Sequence, residues 1–112
     1  MYEDRIIYDQ DQTKEQFTAG ILLQSLGQGE EMSVLHWDLE DGSVVDWHEH
    51  SNEQFGYVIA GGFKVCLGDE EYELKAGDAY YVPADVQHKF VARGATEAID
   101  VFSPPRENLP EA

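Results

Sequence analysis

Residues 46–54 read DWHEHSNEQ and hold two histidines separated by one residue. Successive side chains of a β-strand point to opposite faces, so His48 and His50 share a face if this segment is extended. Gln54 has the same parity as the histidines, whereas Glu53 has the opposite one. A β-bulge between His50 and Glu53 would exchange the roles of Glu53 and Gln54. The pattern predicts an oxygen ligand beside the histidines, from Gln54 in an unbroken strand or from Glu53 in a bulged one.

A third histidine, His88, follows a glycine turn at Gly77, a short apolar segment and a proline turn at Pro83. Neutral imidazoles bind Zn, Fe, Ni or Cu, and an oxygen ligand beside them also admits Mn. A His-x-His pair alone is equally typical of two structural histidines. The interpretation as a metal site therefore depends on His88 and the turns that precede it. The fourth histidine, His36, is assigned a structural role in preference to a place in the same pocket.

The spacing of these residues resembles the two sequence motifs of the cupin family. The first motif, Gly-x5-His-x-His-x3,4-Glu-x6-Gly, is matched with Gln in place of Glu by Gly42, His48, His50, Gln54 and Gly61. The second motif, Gly-x5-Pro-x-Gly-x2-His-x3-Asn, is matched by Gly77, Pro83 and His88. Asp85 replaces the glycine of the second motif, and Ala92 replaces its asparagine. Aspartate can adopt the left-handed turn conformation, so we expect Asp85 to preserve this turn.

The resemblance implies an all-β fold, namely a single-domain cupin with a double-stranded β-helix or jelly-roll barrel. The strand pattern supports this independently, because short apolar segments recur between Gly, Pro and Asp turns. We expect residues 21–112 to form the barrel and residues 1–20 an N-terminal arm or edge segment, in which polar residues 9–18 form an arm or a short turn. The resemblance also implies one divalent transition metal, Ni, Zn, Fe or Mn, held by His48, His50, Gln54 and His88.

The glutamine at position 54 has a chemical consequence. Three neutral histidines and a neutral amide leave the full positive charge of a bound cation, whereas the usual glutamate would offset part of it. The ion is then a stronger Lewis acid toward a substrate oxygen or toward water. Gln54 therefore favours polarising chemistry over redox chemistry.

Residues 100–108 read DVFSPPREN and carry a narrower resemblance. They are similar to the Asp-x-Phe-x-Pro-x-Arg-Glu ending of cupins related to the pectin-degradation protein KdgF. That resemblance implies a metal-dependent, isomerase-type enzyme that opens the ring of 4,5-unsaturated uronates from pectin or alginate. Asp100 is the candidate general acid or base, Arg106 the anchor for a substrate carboxylate, and Phe102 an apolar wall. Structural roles for Asp100 and Arg106, as an interior acid and a surface counter-ion, remain the alternatives.

Two other functional classes compete with uronate ring opening. One is a small cupin dioxygenase or another isomerase, which oxygen consumption would distinguish. The other is a non-catalytic cupin that binds a metal or a sugar acid. The expected partner is a small-molecule substrate, which is a carboxylate sugar for the uronate enzyme and a catechol-like or thiol compound for a dioxygenase. Pairing of small cupins through their sheets predicts a homodimer.

The charge balance narrows the range of partners. The chain has 23 acidic residues against 7 Lys plus Arg, a formal net charge of -16. Such a surface repels nucleic acids and anionic membranes, and we expect neither as a partner. It is also typical of a halophilic protein, in which salt screens the self-repulsion. The N-terminal residues MYEDR lack the features of a signal peptide, so we expect a cytoplasmic protein.

Overall fold

The computed structural model describes residues 5–106, which form ten β-strands and one turn of 3-10 helix (Asp9–Asp11). The strands are β1 (Glu15–Thr18), β2 (Ile21–Gln28), β3 (Ser33–Leu39), β4 (Val44–His48), β5 (Glu53–Ala60), β6 (Gly62–Leu67), β7 (Glu70–Lys75), β8 (Ala79–Val82), β9 (His88–Ala92) and β10 (Thr96–Ser103). The predicted all-β fold is confirmed. No helix in this part of the chain has the length and apolar character needed to cross a membrane.

The strands form two antiparallel sheets that face each other as a barrel. The larger sheet has the order β1-β2-β3-β10-β5-β8, and the smaller one has the order β4-β9-β6-β7. The chain passes from one sheet to the other repeatedly, as it does from β3 to β4 and from β4 to β5. This alternation is the jelly-roll arrangement expected from the sequence.

The hydrophobic core lies between the sheets and follows from strict alternation along the strands. On β3 and β10 every second side chain is buried. Val58, Val82 and Ala98 have no exposed surface, and Trp37 and Phe63 are almost completely buried. Burial of these apolar groups on one face of each sheet stabilises the barrel and leaves the other face for solvent or a partner.

The turn before β9 confirms the expectation for Asp85. This residue has a φ of 64°, in the left-handed region where the motif normally places glycine. Its backbone N–H donates a hydrogen bond of 2.8 Å to the carbonyl oxygen of His50. The unusual backbone conformation thus ties the turn before His88 to the loop that carries His50.

Candidate metal centre

Three histidines meet at one end of the barrel although they lie up to forty positions apart in the chain. His48 is the last residue of β4 and pairs directly with His88, the first residue of β9. A register irregularity between Val45 and His48 brings these two histidines opposite each other. His50 lies in the loop that carries the chain from β4 of the smaller sheet to β5 of the larger one.

The three imidazole rings form a compact cluster. One ring nitrogen from each histidine lies within 4.8 Å of the others. The ring centroids are 4.1 Å apart for His48 and His88, 4.9 Å for His50 and His88, and 5.7 Å for His48 and His50. Nitrogen atoms at such separations can contact a single ion.

Each histidine is oriented by a hydrogen bond from its Nδ1 atom to a backbone carbonyl two residues away. The acceptors are the carbonyl oxygens of Asp46 at 2.8 Å from His48, Asn52 at 3.1 Å from His50 and Val86 at 2.8 Å from His88. Because a carbonyl can only accept, each Nδ1 carries the proton of the neutral ring. All three Nε2 atoms are thereby left with a lone pair, as in metal-bound histidines that are held by an outer hydrogen bond.

The surroundings of the cluster keep the imidazoles neutral. Burial lowers the pKa of His48 and His50, and it lowers that of His88 to about 4. The positive charge of Arg106 lowers the pKa of all three in addition. Neutral rings at physiological pH present donor atoms without the charge that would repel a cation.

The structure distinguishes the two candidate oxygen donors by their direction. Gln54 points inward and is only 3% exposed, with its Oε1 atom 3.1 Å from Nε2 of His50. Glu53 points outward, where its carboxylate accepts a hydrogen bond of 2.6 Å from Tyr81. The shared parity of Gln54 and the histidines does not come from one unbroken strand, because the chain changes sheets between them.

These residues fit a bound divalent cation. The Nε2 atom of His88 is buried and has no hydrogen-bond partner within residues 5–106. The Nε2 atom of His50 and the Oε1 atom of Gln54 lie 3.1 Å apart, and each presents a lone pair to the other. A cation bound by both atoms would offset the repulsion between these lone pairs. Three imidazole nitrogens and one amide oxygen suit the first-row transition metals as a class.

Asp100 lies in the interior of the barrel, next to the candidate metal ligands. It is 4% exposed and lines an interior cavity of about 20 Å³ together with His48 and Gln54. Its Oδ1 atom accepts a hydrogen bond of 2.6 Å from the hydroxyl group of Tyr80. Burial raises the pKa of Asp100 to about 6, against the opposing effect of hydrogen bonding from Tyr80 and Gln54. Such a carboxyl group can both take up and release a proton near neutral pH.

Phe102 and Arg106 lie at the mouth of the barrel beside the histidines. Phe102 is 1% exposed and packs edge-on against His50, with 5.6 Å between the ring centroids. The guanidinium carbon of Arg106 lies 5.6 Å from the centroid of the Phe102 ring. The Nε atom of Arg106 is buried without a hydrogen-bond partner in the described part of the chain. Burial lowers the pKa of Arg106.

Two contributors to this region were absent from the residues selected by sequence. Tyr80 contacts Asp100, and the side-chain amide of Asn52 donates a hydrogen bond of 2.6 Å to the carbonyl oxygen of Pro104, two residues before Arg106. Tyr80 has the inward parity of Val82 on β8, which is a detectable feature of the sequence. Asn52 had no such feature, because its partner lies fifty-two positions away.

His36 lies outside this centre. It points to the outer face of the larger sheet, where its Nε2 atom donates to the carboxylate of Glu97 at 2.6 Å. The neighbouring groove of about 480 Å³, lined by residues such as Asp38 and Glu97, shares no residue with the histidine cluster. The structural role assigned to His36 agrees with this position.

Comparisons with known proteins relate the chain to a known family. The family described as Cupin domain matches residues 35–102. The chain is 30% identical over 97 residues to the pectin degradation protein KdgF of Dickeya dadantii (strain 3937), covering 77% of this chain and 88% of that protein. It is 40% identical over 62 residues to protein SchB of Streptomyces halstedii, covering 54% of this chain but spanning only 45% of that protein's length. The solved structure of KdgF from Halomonas sp. superposes with a TM-score of 0.87 at 27% identity, covering 93% of this chain and 96% of the other.

Proposed function

The chain belongs to the cupin family and resembles its KdgF-type members, and on this premise we propose that it is a metal-dependent enzyme that opens the ring of 4,5-unsaturated uronates. The observation that supports this most is the grouping of three kinds of side chain at one end of the barrel. Neutral imidazoles, a buried carboxyl group and a guanidinium group lie together there. The name of the relative from D. dadantii, a pectin degradation protein, favours products of pectin lyases as the substrate class.

The proposed metal ligands are His48, His50, His88 and Gln54. Their donor atoms admit Ni, Zn, Fe or Mn, and we propose one such ion per chain. When bound, the ion would act as a Lewis acid toward oxygen atoms of the substrate. The three Nδ1 hydrogen bonds to backbone carbonyls hold the imidazoles in place for this role.

Arg106 is proposed to anchor the carboxylate of the sugar acid. Its planar guanidinium group can donate two parallel hydrogen bonds to a carboxylate. The ring of Phe102 contacts both the guanidinium group of Arg106 and the ring of His50. It therefore sets the distance between the proposed anchor and the proposed metal ligands. In a chain with a net charge of -16, a cationic group at this mouth offsets the repulsion of an anionic substrate.

Asp100 is proposed to transfer the proton that ring opening requires. The anomeric hydroxyl group gives its proton to the carboxylate while the bond between C1 and the ring oxygen breaks. C1 becomes an aldehyde, and the former ring oxygen leaves with the bonding electron pair as the oxygen of an enolate on C5. Return of the same proton from Asp100 to C4 converts the enolate into a 5-keto acid and regenerates the carboxylate. The overall reaction is an isomerisation, and its atoms balance without an oxidant or a reductant.

The direct test follows the conjugated double bond of the substrate by ultraviolet absorbance. Protein loaded with Ni, Zn, Fe or Mn is mixed with the unsaturated monouronates from a pectin lyase or alginate lyase digest. We expect the absorbance to decay faster than in a protein-free control, without consumption of oxygen. A decay rate equal to that of the control for every metal would refute the proposal.

Replacement of Asp100 separates the enzyme from its alternatives. We expect Asp100→Asn to retain the metal while losing about a hundredfold or more of the ring-opening rate, as removal of a general acid or base does. A binding protein would have no turnover to lose. A dioxygenase would consume oxygen in step with its substrate, and that result would favour the second class of cupin enzyme.

We propose in addition that the protein acts as a homodimer through the outer face of the larger sheet. On this face Phe55 and Tyr57 of β5 and Tyr81 of β8 are 56%, 50% and 42% exposed, and the rings of Phe55 and Tyr81 are in contact. Two copies of a chain with a charge of -16 repel each other, so association favours a surface that is mainly apolar. The three aromatic rings provide such a surface, with the carboxylate of Glu53 beside them hydrogen-bonded to Tyr81, and a second copy brings an identical surface to it.

Sedimentation velocity in a salt-containing buffer tests the dimer. We expect Tyr57→Glu to convert the protein to a monomer, because a carboxylate would be buried without a partner at the interface. Tyr72→Glu is the matched control, since Tyr72 is 43% exposed on β7 of the other sheet. A wild-type monomer, or equal effects of the two substitutions, would contradict the proposed interface.

A further inference from the structure

We propose that Tyr80 is a positioning residue that fixes the carboxyl group of Asp100 beside Gln54, and that Gly56 provides the space for this contact. The inference rests on the proposed role of Asp100 in proton transfer. The hydroxyl group of Tyr80 donates its hydrogen bond to Oδ1 of Asp100. It acts on the reaction only through the orientation of the carboxyl group.

Tyr80, Gly56 and Asp100 form a row across three neighbouring strands. Gly56 of β5 pairs with Tyr80 of β8 on one side and with Asp100 of β10 on the other. All three residues face the barrel interior. Because adjacent strands lie about 4.8 Å apart, Tyr80 and Asp100 begin roughly twice that distance from each other. Their side chains nevertheless meet, with 2.6 Å between the tyrosine hydroxyl and Oδ1 of the aspartate.

The contact is possible because Gly56 lacks a side chain. A Cβ atom at this position would lie 2.1 Å from Cζ of Tyr80 and 2.3 Å from Oδ1 of Asp100. Both distances are far below any tolerated contact, so every other residue would displace the tyrosine ring or the carboxyl group. The ring of Tyr80 therefore crosses β5 directly over the backbone of Gly56.

The hydrogen bond from Tyr80 selects one oxygen atom of the carboxyl group. The phenol donates to Oδ1, and the carboxyl group also interacts with the side chain of Gln54. In this water-poor interior a short phenol-to-carboxylate hydrogen bond is strong. The side chain of Trp37 also interacts with this carboxyl group. Tyr80 is the partner that holds Oδ1, and loss of its hydroxyl group would let the carboxyl group turn away from its orientation beside Gln54.

The neighbouring tyrosine supplies a matched control. Tyr81 also donates a hydrogen bond of 2.6 Å to a carboxylate, that of Glu53, but on the exposed outer face. Each of the substitutions Tyr80→Phe and Tyr81→Phe thus removes a tyrosine hydroxyl group and a hydrogen bond of 2.6 Å to a carboxylate. The first does so on the inner face of β8 and the second on its outer face. Only the inner substitution alters Asp100.

The kinetic test uses the metal-loaded protein with unsaturated uronate. We expect Tyr80→Phe to lower kcat about tenfold, as loss of an orienting partner typically does, with KM and metal content within twofold of wild type. Tyr81→Phe keeps the aromatic ring on the proposed dimer face and should leave both kcat and the oligomeric state unchanged. In an Asp100→Asn background, removal of the Tyr80 hydroxyl should have no further effect, because Tyr80 acts only through the carboxylate. An unchanged kcat, a loss confined to KM, or an equal loss in the Asp100→Asn background would overturn the inference.

A second measurement decides the inference without ring-opening activity. The infrared carboxyl band of Asp100 is obtained from the difference between wild type and Asp100→Asn. We expect this band to shift in Tyr80→Phe and in Gly56→Ala, and to stay in place in Tyr81→Phe. An unshifted band in both inner variants would overturn the positioning role even if the wild type is active. Conversely, a shifted band in a protein that leaves uronates intact would refute the proposed function and retain the orientation of Asp100 by Tyr80.

Discussion

The side-chain amide of Gln54 links the three histidines to the interior carboxyl group. Its oxygen atom faces His50, and its side chain also interacts with Asp100. An amide can present an acceptor to one neighbour and a donor to the other, whereas a carboxylate has acceptors only. The proximity of Asp100 therefore gives a physical reason for glutamine where the family motif has glutamate.

Gln54→Glu tests this explanation. We expect the new carboxylate to tighten metal binding about tenfold, or about 1.4 kcal/mol, because it adds a charged ligand. We expect kcat to fall for two reasons. The metal becomes a weaker Lewis acid, and the new carboxylate at position 54 repels the carboxyl group of Asp100. Competition with a chelator and steady-state kinetics measure the two effects. Glu53→Gln, the neighbouring outward residue, should change neither quantity.

The backbone at Asp85 gives a prediction about stability. A left-handed conformation costs most L-residues about 1–2 kcal/mol, and β-branched side chains are the least suited to it. We expect Asp85→Val to lower the free energy of unfolding by at least that amount, and Asp85→Gly to preserve it. Denaturant unfolding of the metal-free protein measures both changes. Equal stabilities of the two variants would contradict this account.

Motif spacing identified the residues whose roles are set locally, and it missed those set by the tertiary fold. The three histidines, Gln54 and the turn at Asp85 could all be located from sequence. The partnership of Tyr80 with Asp100 could not, because it depends on which strand lies between β8 and β10. That intervening strand has to present a glycine at one register position, and Gly56 does so.

At the level of strands and loops, the loop between β4 and β5 organises the site. It carries His50, whose ring is held by the carbonyl oxygen of Asn52. The side chain of Asn52 in turn donates to the carbonyl oxygen of Pro104 in the segment that follows β10. The backbone N–H of Arg106 adds a hydrogen bond of 2.9 Å to the side chain of Ser33. One loop thus holds both His50, a proposed metal ligand, and the segment that carries Arg106, the proposed carboxylate anchor.

Asn52→Ala is expected to loosen the anchor more than the metal centre. The substitution leaves a carbonyl group without its donor, at a cost of about 1–3 kcal/mol where the group is buried. The His50 ring keeps its bond, because that bond is accepted by the backbone of residue 52. We expect KM for a uronate to rise severalfold while kcat and metal content change little. A fall in metal content with an unchanged KM would place the role of Asn52 in the centre instead.

Two strands lack the regular alternation of buried and exposed residues, for different physical reasons. β1 is an edge strand of four residues, none of them fully buried, and it is too short to show a repeated alternation although Phe17 packs against the core. β4 is interrupted by a register irregularity after Val45, which breaks the period of two. Central strands such as β3 and β10 were predictable because both sheet neighbours and the core enforce their alternation.

The molecule as a whole is strongly acidic, whereas the candidate site at the barrel mouth contains neutral and cationic groups. The chain has a net charge of -16, yet the barrel mouth contains neutral imidazoles and the guanidinium group of Arg106. The acidic surface attracts cations to the protein in general, and the positive charge at the mouth would favour binding of the proposed anionic substrate there. The same acidic surface opposes folding through self-repulsion, which gives a prediction for the whole chain.

We expect the protein to gain stability as salt rises. Between 0.1 M and 1 M KCl the Debye length falls from about 10 Å to about 3 Å, so repulsion among exposed acids is largely screened. The melting temperature should therefore rise over this range. The triple variant Glu15→Gln, Glu30→Gln and Asp69→Asn, at exposed positions, removes three of these charges. It should melt at a higher temperature than wild type in 0.1 M KCl and respond less to added salt. If the variant and the wild type respond equally, the gain comes from the general effect of salt on hydrophobic burial, and the acidic surface is not the cause.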